Sequence, residues 1–200
     1  MSARLTDDEG RALLLLARAA IAERLFSDGR LDDTRRTVVI TPPLTAPRAC
    51  FVTLTAASPD GGHALRGCIG STEAELPAHE AVVAAARDAA FSDPRFGPLA
   101  PEEFSGVSLS VSVLTPRVPV PSAEAIVAGR DGVVLACGGR QALFLPEVAT
   151  EWGWDRVTLL AQLARKAGLP AGAWRRARLW VFETERFAEN GNEAARIRRS

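Results

Sequence analysis

Lysine is nearly absent from this 200-residue chain: Lys166 is the only one among 24 basic residues, and 24 acidic residues leave the formal net charge at zero. That balance removes the global field that would draw in nucleic acid or an anionic membrane, so either would need a local patch. The arginine bias, with the many alanines, reads as genomic base composition, although a guanidinium can also grip carboxylate or phosphate in a bidentate fork. No uninterrupted apolar stretch approaches the ~20 residues of a membrane-spanning helix. The opening MSARLTDDEG places acids before the first apolar run and has neither a basic start nor a small-residue cleavage site, so no secretory signal is expected. Cysteine is scarce and odd in number: Cys50, Cys68 and Cys137 stand at unrelated spacings, without a CxxC. A cytoplasmic, reducing location is the expectation. Histidine is limited to His63 and His79, so no spaced ligand cluster exists and neither a metal site nor a cofactor is expected. No GxGxxG or phosphate-loop lysine motif opens a helix after a strand, which excludes the common dinucleotide and nucleotide cradles.

What is present suits a folded chain, because 47% hydrophobic residues over this length can fill one core or two lobes. Thr6 and Glu9 have capping-box spacing ahead of an apolar run and predict a first helix over residues 6–27. Residues 28–47 are polar, then carry Pro42, Pro43 and Pro47, and predict a long surface loop. Two β-rich runs flank PDGG, and a two-residue turn at Asp60-Gly61 sets Cys68 opposite Thr53, with Cys50 on the other face. A helix over 77–90 follows, with Val82, Val83 and Ala86 as its apolar stripe. Strict alternation over 106–115 predicts a strand with Val107, Leu109, Val111 and Val113 on one face and Ser108, Ser110 and Ser112 on the other.

Beyond it the pattern predicts a short helix over 122–128 capped by Ser122 and a second hairpin turning at Gly138-Gly139. Pro146 suits the start of the next helix, an amphipathic helix stops near Gly168, and a closing strand, ARLWVFETERF, is followed by a loose tail. Hairpin-joined strands with segregated helices indicate α+β: two unequal lobes on antiparallel or mixed sheets with flanking helices.

The segment LRGCIG at 65–70 raises the central chemical question. Arg66 and the amides around Gly67 and Gly70 could favour a thiolate at Cys68, and the glycines would let the backbone approach a substrate. A free cysteine is equally able to fill a core as a small hydrophobe, and at this level both readings stand. His63 lies beside the turn and His79 in the first turn of the next helix, so a cysteine-hydrolase pairing is weakly supported. In FSDPRF, Asp93 could accept from turn amides and Arg95 pair with an acid, or Arg95 could clamp a carboxylate or phosphate near the cysteine. Glu147 sits in a helical first turn, either stabilised by the dipole or acting as a general base. Trp152 and Trp154 read as packing.

Together LRGCIGS (65–71), AAFSDPRFGPL (89–99), SVSVLTP (110–116), GVVL (132–135), LFLPEVATEWGWD (143–155) and LARKAGL (163–169) resemble the AMMECR-type domain family, whose prokaryotic members are known as AmmeMemoRadiSam system protein A. The resemblance runs from the first helix to Phe187, and implies one domain over 1–187 with two lobes, LRGCIG near a cleft between them, and a loose tail over 188–200. It also implies association with a Memo-type protein and a radical SAM protein, without an assigned activity. The leading expectation is an enzyme or enzyme-system component holding a small anionic substrate. Cys68 and Glu147 would be catalytic, and Arg66, Gly67, Gly70, Asp93 and Arg95 would bind the substrate. The alternative is a binding module, either an adaptor for those partners or an RNA-binding domain; zero net charge and the lack of an RNP-like aromatic run count against nucleic acid.

Overall fold

The computed structural model describes residues 4–57 and 62–189. The fold is α+β and divides into two compact units: one comprises the described residues up to Leu114 with Glu185 onward, the other Thr115–Thr184.

In the larger unit, α1 (Asp7–Phe26) begins where Thr6 accepts the Glu9 N–H and Glu9 reaches back to the Thr6 N–H, so both halves of the capping box form. Its Leu13, Leu16 and Ile21 are fully buried. The next stretch departs from the expected irregular loop, since it holds α2 (Arg30–Thr37) and a single turn, α3 (Pro42–Thr45). In α2 the acids precede the bases, matching the helix dipole, and Asp33–Arg36 closes at 3.0 Å one turn apart. With Leu31 as its buried residue, α2 carries no apolar period to announce it. Pro42 and Pro43 open α3, where a missing N–H costs nothing.

Strands β1 (Cys50–Ala57) and β2 (His63–Gly70) pair antiparallel with Thr53 opposite Cys68, as the spacing predicts. The expected turn at Asp60-Gly61 lies outside the described residues. The register slips between Leu54 and Thr55, which makes Arg66 the extra residue of a β-bulge. Then α4 (Ala78–Phe91) buries Val82, Val83 and Ala86, and β3 (Val107–Leu114) pairs antiparallel with β1. The core lies between this sheet and α1 and α4, with Val52, Leu54, Leu109 and Val111 from the strands.

In the smaller unit, β4 (Val118–Pro119) leads to a 3-10 turn at Ala123–Ala125, shorter than the helix expected over 122–128, and Ser122 makes no side-chain cap. β5 (Gly132–Cys137) and β6 (Arg140–Phe144) turn at Gly138-Gly139, whose φ angles of 58° and 76° are those a two-residue hairpin requires. There follow α5 (Pro146–Glu151), with proline in its first turn, α6 (Arg156–Lys166), capped by Asp155, and β7 (Arg178–Phe182). A separate core gathers Ile126, Val133, Leu135, Leu159, Leu160 and Leu163.

The run expected as one closing strand is two. β7 belongs to the sheet β4-β7-β5-β6, whereas β8 (Thr184–Ala188) belongs to the sheet β2-β1-β3-β8. The change falls at Glu183, whose N–H donates to Thr115 Oγ1 at 2.8 Å and whose carbonyl accepts from the Thr115 N–H at 2.9 Å. Both backbone groups are thus satisfied where the strand leaves one sheet. Ala188 and Glu189, expected in the tail, are ordered: Ala188 ends β8, and Glu189 accepts from the Leu109 N–H at 2.8 Å and from Arg18 Nε at 2.8 Å. The rest of the expected tail lies outside the described residues. Among the described residues, no helix is long and apolar enough to cross a membrane.

Candidate functional site

The segment LRGCIG forms the second half of β2, the end strand of its sheet. Its glycines are set by close approach. A Cβ on Gly67 would stand 2.1 Å from the Ala89 carbonyl oxygen at the end of α4, and one on Gly70 would stand 2.1 Å from the Cys50 carbonyl oxygen. Neither backbone neighbour can swing aside as a side chain would, so both positions exclude any larger residue. Ile69 packs against the core, and Cys68 takes the opposite face of the strand.

At an end strand the outward backbone groups of Cys68 lack a ladder partner, and the FSDPRF turn supplies them. The Cys68 N–H donates to Asp93 Oδ2 at 2.8 Å, and the Cys68 carbonyl accepts from Arg95 Nη2 at 3.2 Å. Asp93, only 3% exposed, also accepts from the Arg95 N–H, Nε and Nη2 at 3.1, 3.0 and 2.7 Å. These bonds hold its carboxyl far below the usual carboxylate range, the Arg95 guanidinium first and the Cys68 N–H next. Arg95 is pushed above its ordinary value chiefly by Asp93, with a further contribution from the side chain of Cys68.

Arg66 is turned inward on the same scaffold. Its Nε and Nη2 donate to Glu103 at 2.8 and 2.9 Å, and Nη1 and Nη2 reach the carbonyls of Gly97 and Pro98 at 3.1 and 3.4 Å. Glu103 is lowered to about 2, by Arg66 first and the Ala100 N–H second. The ring of Phe96 lies 5.9 Å from the Arg66 guanidinium and 5.5 Å from that of Arg95, within cation–π range of both.

The Cys68 thiol is half-buried and free, and Thr53 Oγ1 donates to its sulfur at 3.3 Å. Thr53 is opposite Ser110 on β3, and Ser110 Oγ accepts from Arg186 Nη2 on β8 at 3.3 Å. Cys68, Thr53, Ser110 and Arg186 therefore form one row across all four strands, on the face turned away from the apolar core. Cys50 is different: it is 2% exposed, on the core face, and burial pushes its thiol up to about 12.

Of the residues singled out by sequence, Arg66, Gly67, Cys68, Gly70, Asp93 and Arg95 come together here. Glu147 belongs to α5 in the smaller unit, where, among the described residues, its Oε2 is buried without a hydrogen-bond partner. His79 Nδ1 bonds the Leu44 carbonyl at 2.9 Å and ties α4 to α3. Sequence reasoning missed Glu103, Thr53, Ser110 and Arg186. The serine alternation on β3 and the hairpin register contained the signal for Ser110 and Thr53. Among the described residues, no group of three or more His, Cys, Asp and Glu side chains is arranged to hold a metal.

The AMMECR1 family profile matches residues 14–187. A protein of Thermococcus gammatolerans is 41% identical over 194 residues, covering 93% of each chain, and one of Methanothermobacter thermautotrophicus is 39% identical, covering 94% of this chain and 97% of its own. The crystal structure of the uncharacterized protein PH0010 from Pyrococcus horikoshii is similar with a TM-score of 0.68 and 36% identity, over 90% of this chain and 91% of that one. Profile, relatives and fold agree over nearly the whole chain, and the protein belongs to the AMMECR1 family.

Proposed function

We propose that Cys68 and the polar row beside it bind a small anionic substrate, and that the protein works as an enzyme or as a component of an enzyme system. The observation that supports this reading is the setting of the Cys68 sulfur: half-buried, hydrogen-bonded by the Thr53 hydroxyl, and on a residue whose carbonyl accepts from the Arg95 guanidinium. A cysteine used only as filler has no need of a hydroxyl donor and a guanidinium. In this reading Cys68 is the contact or reacting group, and Arg95, with half of its side chain exposed, and Arg186 face the anion. Asp93 and Arg66 are positioning residues, because their polar atoms are spent on fixing the segment itself. Gly67 and Gly70 allow the strand to lie where it does.

The test is alkylation of the native protein by iodoacetamide, mapped by mass spectrometry. Modification of Cys68 well ahead of Cys50, and slowed by an added small carboxylate or phosphate, supports the reading. Protection of Cys68 until global unfolding overturns it. Once an activity is assigned, its survival in Cys68→Ser removes the reacting role and leaves the binding role.

A further inference from the structure

The smaller unit carries a second set of groups that the reading above leaves unused. Pro119–Glu124 on one side, and Trp174, Arg175 and Ala177–Trp180 on the other, line a groove of about 630 Å³. That size suits a small-molecule ligand. The Arg175 guanidinium lies 4.5 Å from the centre of the Trp174 ring, and that of Arg178 lies 5.5 Å from Trp180. Both arginines are exposed, and among the described residues neither is ion-paired to a carboxylate. Among the described residues, Glu124, the acid on the groove wall, forms no ion pair with either. Glu124 is held below its ordinary value by the Ser122 hydroxyl first, and also by Arg156, which donates to the Glu124 carbonyl at 3.2 Å. Within a chain of zero net charge, the groove thus brings together two guanidinium groups that make no ion pair among the described residues.

The backbone beside the groove narrows what can bind. β4 ends its sheet; Val118 and Pro119 pair with β7, and the Val120 N–H donates to the Leu179 carbonyl at 3.1 Å. Pro119 and Pro121 have no N–H, so the free edge offers no donors at those positions and strand addition is blocked. Recognition falls to side chains: planar forks for an anion and indole faces for a flat group.

We propose that this groove binds a small ligand bearing a carboxylate or phosphate on a flat aromatic body, the anion held by Arg175 and Arg178 and the ring set against Trp174 and Trp180. The site uses neither Cys68 nor its neighbours and stands independently of the function proposed for them.

The full chain is titrated with adenosine monophosphate and, separately, with 4-hydroxybenzoate, followed by tryptophan fluorescence and calorimetry. Adenosine and inorganic phosphate serve as probes of the two halves. The expected result is saturable binding of at least one complete probe, stronger than either half and weakened about tenfold or more by Arg175→Gln or Arg178→Gln. Preference for the nucleotide assigns the phosphate form and preference for the benzoate the carboxylate form. Both glutamine variants are exposed-surface changes, and a thermal melt matching the parent confirms that they fold; should one fail, the other carries the test. Absence of saturable binding of either probe, binding indifferent to both arginines, or binding of single-stranded RNA alone overturns the proposal.

Discussion

The backbone N–H of Cys68 donates to the carboxylate of Asp93 at 2.8 Å, and the carbonyl of the same residue accepts from Arg95 at 3.2 Å. An aspartate–arginine pair thus stands where a further strand would, closing the sheet edge at the residue of greatest chemical interest. Asp93→Asn keeps an acceptor for the Cys68 amide but removes the charge that holds Arg95. The expected outcome is faster hydrogen exchange at the Cys68 amide with that of β3 unchanged; equal exchange in variant and parent shows that the pair does not hold the edge.

Gly67→Ala is expected to destabilise the larger unit by about 1–3 kcal/mol, because the new methyl group meets main chain rather than a movable side chain. Gly97→Ala is the control: its Cβ meets nothing within 4 Å, and a change within about 0.5 kcal/mol is expected. Urea unfolding of both variants reads the difference directly.

Thr53→Val removes the hydroxyl on the Cys68 sulfur while keeping the branched shape that suits β1. Stability is expected to change by about 1 kcal/mol or less. Alkylation of Cys68 is expected to slow a few fold, and an unaltered rate means that the hydroxyl does not tune the thiol.

Arg66 and Glu103 give the fold an acid-sensitive joint. Glu103 titrates at about 2 in the native protein, below its unfolded value, so the unfolded chain binds the proton first. The stabilisation is complete above the ordinary glutamate range and is lost as the pH falls through it toward about 2. Asp93 shifts in the same direction. Urea midpoints measured between neutral and acid pH are expected to fall, and less steeply in Glu103→Gln than in the parent.

Much of this fold is legible in the chain, for local reasons. The capping box at Thr6 and Glu9, the paired glycines at 138–139 and the period-2 alternation of β3 each act over a few residues. Helix α2 escaped the same reading because its support is charge order around one buried leucine rather than an apolar stripe.

The sequence alone placed Cys68 opposite Thr53 and Cys50 on the opposite face, whereas the slip of register at Arg66, which sets Ala57 against His63, came only with the structure. It also brought Asp93 and Arg95 into one turn. Only the tertiary structure decided what these groups do. Arg66 finds Glu103 across 37 residues, Ser110 receives Arg186 across 76, and the final strand divides between two sheets at Glu183. The physical reason is common to all three: partners so distant in the chain are selected by burial and by satisfaction of backbone and charged groups, which have no local period to read.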